Sequence, residues 1–219
     1  MSDREKIASQ IMAEGLVAIM RVSRPELAMP LATALVAGGI RAVELTMSIP
    51  NALEAVQTID RELGGEILLG VGTVIDDDTC RAAIDAGAKY IVSPVTRPSL
   101  VKVAHAMDRP VMLGAYTPTE AQTAHEAGSD FVKIFPADTL GPGYIKSLLA
   151  PLPHLKIVPT GGVNLDTMEA FLAAGSAALG TGSALLKKEI IAGENWGELE
   201  RLARRYADKL AELKGKPGH

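Results

Sequence analysis

Residues 111–136, VMLGAYTPTEAQTAHEAGSDFVKIFP, contain one full repeat of the pattern that decides the fold. Val111–Tyr116 is a short apolar run of buried-strand type. Thr117-Pro118-Thr119-Glu120 marks a helix start, with an N-cap threonine, proline at the first helical position and glutamate at the third. Ala127-Gly128-Ser129 supplies a glycine that can end the helix in the left-handed conformation, and Phe131–Pro136 opens the next strand. Outward from this unit the same order recurs. Leu16–Met20, Ala42–Thr46, Ile67–Thr73, Tyr90–Pro94, Lys156–Thr160 and Ala177–Ser183 complete a set of eight Val/Ile/Leu-rich runs that start 20 to 26 residues apart. Ala37-Gly38-Gly39, Ala86-Gly87-Ala88 and Ala174-Gly175-Ser176 repeat the helix-ending signal. Strands alternating with helices feed a parallel sheet. Eight such units predict an α/β fold, a (β/α)8 TIM barrel forming a single domain over residues 1–219. An extra N-terminal helix over Ser2–Glu14 should cover one end, and a C-terminal helix and tail should occupy residues 195–219. A doubly wound open sheet is the structural alternative. It lacks its glycine fingerprint, because Met20-Arg21-Val22-Ser23 follows the first strand.

Composition narrows the function. The chain has 219 residues, 22 Lys+Arg against 26 Asp+Glu for a net charge of −4, and 47% hydrophobic residues. That is enough apolar material for a core and too little positive charge for a polyanion-binding surface, so neither nucleic acid nor membrane is an expected partner. A small anionic substrate needs only a local site. Cys80 is the only cysteine, which excludes a disulfide framework, and His105, His125, His154 and His219 do not assemble a Cys/His zinc pattern. The N-terminus mixes acids with bases and no apolar run approaches the roughly 18 residues of a membrane span. These features predict a protein of the reducing cytoplasm.

Barrel active sites lie at the C-terminal ends of the strands, so polar residues there carry the information. They are Arg21 after strand 1, Glu44 and Thr46 on strand 2, Thr73 ending strand 3, Ser93 on strand 4, Lys133 on strand 6, Thr160-Gly161-Gly162 after strand 7 and Gly182-Ser183 after strand 8. Lys133 is the least ordinary, because Phe131-Val132-Lys133-Ile134-Phe135-Pro136 surrounds an ammonium with large apolar side chains. Unpaired burial would move such a lysine from about 10.4 toward roughly 7–8 and make it an amine nucleophile for a ketone. The structural alternative is an ion pair between Lys133 and Glu44. Glu44, set between Val43 and Leu45, suits proton transfer. No histidine and no second carboxylate falls at a strand end, so neither a metal nor a cofactor is expected. The two glycine runs after strands 7 and 8 present bare backbone N–H groups where barrels commonly hold phosphate, although turns also use glycine. Cys80 reads as a buried structural thiol, Asp76-Asp77-Asp78 as a helix start, and Leu199–Leu213 as an outer helix.

Glu44-Leu45-Thr46, Gly70-Val71-Gly72-Thr73, Val92-Ser93-Pro94, Lys133-Ile134-Phe135-Pro136, Pro159-Thr160-Gly161-Gly162-Val163 and Gly180-Thr181-Gly182-Ser183 together resemble the aldolases of 2-keto-3-deoxy-6-phosphogluconate (KDPG) and 4-hydroxy-2-oxoglutarate (KHG). The likeness runs from about Gly15 to about Lys188. It implies a class I, metal-independent homotrimeric barrel that cleaves a phosphorylated 2-keto-3-deoxy sugar acid to pyruvate and glyceraldehyde 3-phosphate. By the same resemblance Lys133 would form the Schiff base and Glu44 would move protons. Arg21, Thr46, Thr73, Ser93, Pro94 and Thr160 would contact the substrate, and Gly161, Gly162, Gly182 and Ser183 would hold its phosphate. Many members carry a substrate-binding arginine where this chain has Ser48; Arg21 is the natural replacement, with a surface pair to Glu26 as the alternative. Thr160 resembles the gluconate-type enzymes, while galactonate-type relatives tend to have a small apolar residue there. Two further readings stay open: a sugar-phosphate isomerase or synthase using Lys133 electrostatically, and a catalytically silent barrel that binds a sugar phosphate.

Overall fold

The computed structural model describes residues 1–215. Helix α1 (Asp3–Glu14) precedes eight strands: β1 (Leu16–Met20), β2 (Ala42–Thr46), β3 (Leu68–Gly72), β4 (Tyr90–Val92), β5 (Val111–Ala115), β6 (Phe131–Ile134), β7 (Ile157–Pro159) and β8 (Leu179–Thr181). Between them run α2 (Ala28–Ala37), α3 (Ala52–Leu63), α4 (Asp77–Asp85), α5 (Pro98–Ala106), α6 (Pro118–Glu126), α7 (Gly141–Leu149) and α8 (Met168–Ala173). After β8 come α9 (Lys188–Ala192) and α10 (Trp196–Lys214). The strands pair in the order β7-β6-β5-β4-β3-β2-β1-β8, all parallel, and a bridge between Thr160 and Gly180 links the two ends. This is a nearly closed (β/α)8 barrel, and it removes the open-sheet alternative. The last four residues of the expected C-terminal tail, 216–219, lie outside the described residues.

Local sequence accounts for the elements. Ser2 and Glu5 form a reciprocal capping box on α1, as Thr117 and Glu120 do on α6, satisfying N–H groups that the first turn leaves unpaired. Gly39, Gly87, Gly128 and Gly175 follow their helices with positive φ, where a side chain would be strained. Several strands stop one or two residues short of their sequence-based limits. Thr73, Ser93, Pro94, Tyr116, Pro136, Thr160 and Ser183 therefore stand in the βα loops rather than on strands. Strands splay at the rim and the ladder ends; Pro94 and Pro136 have no N–H to extend it.

The side chains divide into two apolar clusters. The larger lies between the barrel wall and its helices. The smaller fills the barrel's N-terminal half, where Ile7, Ala8 and Ile11 of α1 meet Val17, Ala42, Tyr90, Met112, Phe131 and Val158. With that end closed, solvent reaches the interior from the C-terminal mouth. Among the described residues no helix is long and apolar enough to cross a membrane.

Candidate active site

Glu44 and Lys133 point into the barrel from opposite walls, because alternate strand residues face inward and both sit on that face. Lys133 Nζ lies 3.3 Å from both Glu44 oxygens, with the lysine 6% and the glutamate 2% exposed. The ammonium is thus paired rather than alone, which corrects the expectation of an unpaired buried lysine: the barrel closes two strands that are four places apart in the sheet onto one another. Removing either charge would strand the other in a nearly dry interior. The glycine pattern makes room for the pair. A Cβ on Gly72, beside Glu44 on the next strand, would fall 1.9 Å from Glu44 Oε1. The Phe135 ring stands 5.6 Å from Lys133 Nζ and covers the ammonium from the mouth side.

Above the pair opens a cavity of about 360 Å³. Of the residues anticipated from the sequence, Arg21, Thr73, Pro94, Lys133, Thr160, Gly161, Gly162, Gly182 and Ser183 all line it. Thr46, Ser93 and Glu44 do not; Glu44 is held against Lys133. Thr46 is fully buried, its hydroxyl donating to the Met20 carbonyl at 3.2 Å and lying 2.8 Å from Ser48 Oγ. Ser93, also fully buried, accepts the Val95 N–H at 3.4 Å. Both hydroxyls are engaged by local partners.

Thr73 has φ +64°, a conformation that costs a β-branched residue about 1–3 kcal/mol and that concentrates at functional sites. Gly161 and Gly162 also have positive φ, and a Cβ on Gly162 would fall 2.9 Å from Asp138 Cα. Among the described residues the N–H groups of Gly161, Gly162, Ser183 and Ala184 find no acceptor. Four unpaired donors on two adjacent loops form an anion cradle.

Arg21 is exposed at the mouth and makes no ion pair among the described residues. Its expected surface partner is taken: Arg24 holds Glu26 at 3.8 Å and Glu194 at 2.8 Å. Lys188, at the start of α9, lines the same cavity on the cradle side, and sequence reasoning missed it. The adjacent bases Lys187-Lys188 just past strand 8 were the available signal. Cys80 is fully buried and its thiol is pushed up to about 11, chiefly by that burial, so it is an inert core group. Among the described residues no set of three or more His, Cys, Asp or Glu side chains is placed to hold a metal ion.

The arrangement sets an amine, a guanidinium and an anion cradle around one cavity, with a carboxylate paired to the amine. Comparison with known proteins agrees with that chemistry. Residues 7–202 match the family model described as KDPG and KHG aldolase. The 2-dehydro-3-deoxy-phosphogluconate aldolase of Pseudomonas aeruginosa is 31% identical over 90% of this chain and 90% of its own. The 2-dehydro-3-deoxy-6-phosphogalactonate aldolase of Escherichia coli is 34% identical over 78% of this chain and 84% of its own. The crystal structure of KDPG aldolase from Legionella pneumophila, with pyruvate captured as a covalent carbinolamine intermediate, superposes with a TM-score of 0.83. It has 29% identity and covers 90% of this chain and 96% of that one. The family model spans most of the chain and the relatives match it nearly end to end, so the chain belongs to the KDPG and KHG aldolase family.

Proposed function

We propose that the protein is a class I aldolase that cleaves 2-keto-3-deoxy-6-phosphogluconate to pyruvate and glyceraldehyde 3-phosphate. The observation that carries this reading is the Lys133–Glu44 pair at 3.3 Å, buried below a cavity with an anion cradle at one side. Lys133 gives a proton to Glu44 and attacks the ketone carbon; the carbinolamine loses water and becomes an iminium. The iminium is an electron sink. As the substrate's C4 hydroxyl gives its proton to Glu44, the C3–C4 bonding pair moves into the enamine and the aldehyde leaves. Protonation at C3 and hydrolysis then release pyruvate and restore the amine.

In this reading Arg21 binds the carboxylate, and Thr73, Pro94 and Thr160 shape the cavity around the keto acid. Gly161, Gly162, Gly182 and Ser183 receive the phosphate, with Lys188 beside them. Thr46 and Ser93 are engaged by local partners and do not touch substrate. Cleavage of 4-hydroxy-2-oxoglutarate to pyruvate and glyoxylate uses the same steps without the cradle. The resemblance at Thr160 favours the gluconate epimer. The described residues, 1–215, form one barrel domain, and a cytoplasmic setting accords with the buried Cys80.

We also infer a homotrimer. Ile75, Val95, Tyr116 and Phe135 are exposed in the loops after four consecutive strands, β3 to β6, and form an apolar rim on one side of the mouth. Such a rim fits burial against a second copy of the chain. Light scattering on Ile75→Asp, compared with the unsubstituted protein, tests it.

Pyruvate with borohydride tests the chemistry: a reduced pyruvyl group on Lys133 with loss of activity is expected. No adduct, or one on Lys146 or Lys156 alone, would return the protein to the isomerase or silent-barrel readings. Pyruvate release from the two C4 epimers and from hydroxy-oxoglutarate then ranks the substrates.

A further inference from the structure

Tyr90, at the start of β4, is 1% exposed inside the barrel, and its hydroxyl has no hydrogen-bond partner among the described residues. Buried polar atoms are nearly always paired, and phenylalanine would fill the same space without stranding an oxygen. The neighbours of this hydroxyl explain its presence. Glu44 on β2 stands opposite Gly70 on β3, and Gly70 stands opposite Tyr90 on β4. A Cβ on Gly70 would fall 2.2 Å from both Cε2 and Cζ of Tyr90, so the hydroxyl-bearing end of the ring lies across Gly70 toward the strand of Glu44. Two glycines on one face of β3 thus seat the two side chains together, the phenol over Gly70 and the carboxylate over Gly72. Burial, and after it the charge of Glu44, pushes the phenol well above its ordinary range, so it remains an O–H donor.

We propose that Tyr90 is a positioning residue that becomes a hydrogen-bond donor to Glu44 once Lys133 has been converted to an iminium. The inference rests on the Schiff-base reading above. In the resting enzyme Lys133 satisfies both carboxylate oxygens, each at 3.3 Å. An ammonium carries three N–H donors and an iminium only one. Glu44, 2% exposed, therefore loses donors at the stage when it must take a proton from the methyl carbon of the bound pyruvyl group. In that step the C–H pair becomes the enamine double bond, the C=N pair moves to nitrogen, and the proton rests on Glu44. A donor fixed to one carboxylate oxygen keeps the other aimed at that carbon. Tyr90 is a buried donor without an acceptor, and Glu44 becomes a buried acceptor short of a donor.

The test is Tyr90→Phe, followed by exchange of pyruvate methyl protons in D2O, borohydride trapping and thermal melting. Expected are trapping on Lys133 at the wild-type rate, a melting temperature equal or higher, and methyl exchange slowed about tenfold, the loss of roughly one hydrogen bond. Exchange within about twofold of wild type would overturn the proposal. So would a lower melting temperature with trapping and exchange reduced alike, because that outcome assigns the hydroxyl a structural partner. If wild-type protein itself fails to trap pyruvate on Lys133, the Schiff-base reading falls first and this inference falls with it.

Discussion

Replacing Arg21 by methionine separates binding of the substrate carboxylate from everything else the side chain could do. The guanidinium is exposed at the mouth, lines the cavity and has no ion-pair partner among the described residues. Its removal strands no buried charge, so folding stability should change by no more than about 0.5 kcal/mol. Catalysis should respond differently. A carboxylate gripped by the guanidinium fork gains two charge-assisted hydrogen bonds of about 1.5–3 kcal/mol each, while ordering a free arginine side chain costs about 2 kcal/mol. The net is near 2.7 kcal/mol, or about a hundredfold in kcat/KM. Methionine keeps much of the stem, so the apolar contacts survive and the loss reports the donors. Steady-state pyruvate release, with a denaturation curve on the same preparations, reads both quantities. A variant within about threefold of wild type, roughly 0.7 kcal/mol, would refute the carboxylate anchor.

Glu44→Gln preserves shape but removes the base, and turnover should fall by about 10²–10⁴; near-normal turnover would leave Glu44 only a structural partner of Lys133. Ser183→Ala removes a hydroxyl at the anion cradle. It should raise KM for the phosphorylated substrate, at a cost of about 1.5–3 kcal/mol, and spare cleavage of hydroxy-oxoglutarate; equal losses on both would put the phosphate elsewhere. Gly72→Ala sets a methyl where the carboxylate lies, 1.9 Å from Oε1, so Glu44 must leave Lys133. Activity should collapse and stability drop by about 1–3 kcal/mol, and an alanine variant with wild-type kcat would contradict the seating of Glu44 over Gly72.

Much of this was legible in the chain. Helix starts such as Thr117–Glu120 and glycines after helices act over one or two turns, so local chemistry determines them. Apolar runs mark strands because a parallel sheet is buried on both faces. Glu44 and Lys133 stood out for the same reason: an ionised side chain in a buried strand conflicts with its neighbours unless something else in the fold needs it.

What those residues meet was decided only by closure of the barrel. Glu44 and Lys133 are 89 residues apart, and the ion pair exists because β2 and β6 face each other across the interior. Among the described residues Arg21 has no ion-pair partner while Arg24 takes Glu26, a choice between two nearby arginines that sequence spacing does not make. The hydroxyls of Thr46 and Ser93 turn to local backbone and serine partners instead of the cavity, whereas Lys188 joins it through the loop that follows β8. Tyr90 reads as an ordinary aromatic core residue until Gly70 is seen to lie between it and Glu44. Periodicity reports which face a side chain takes and how buried it is; the partner on that face depends on strand register and barrel curvature, which involve the whole sheet.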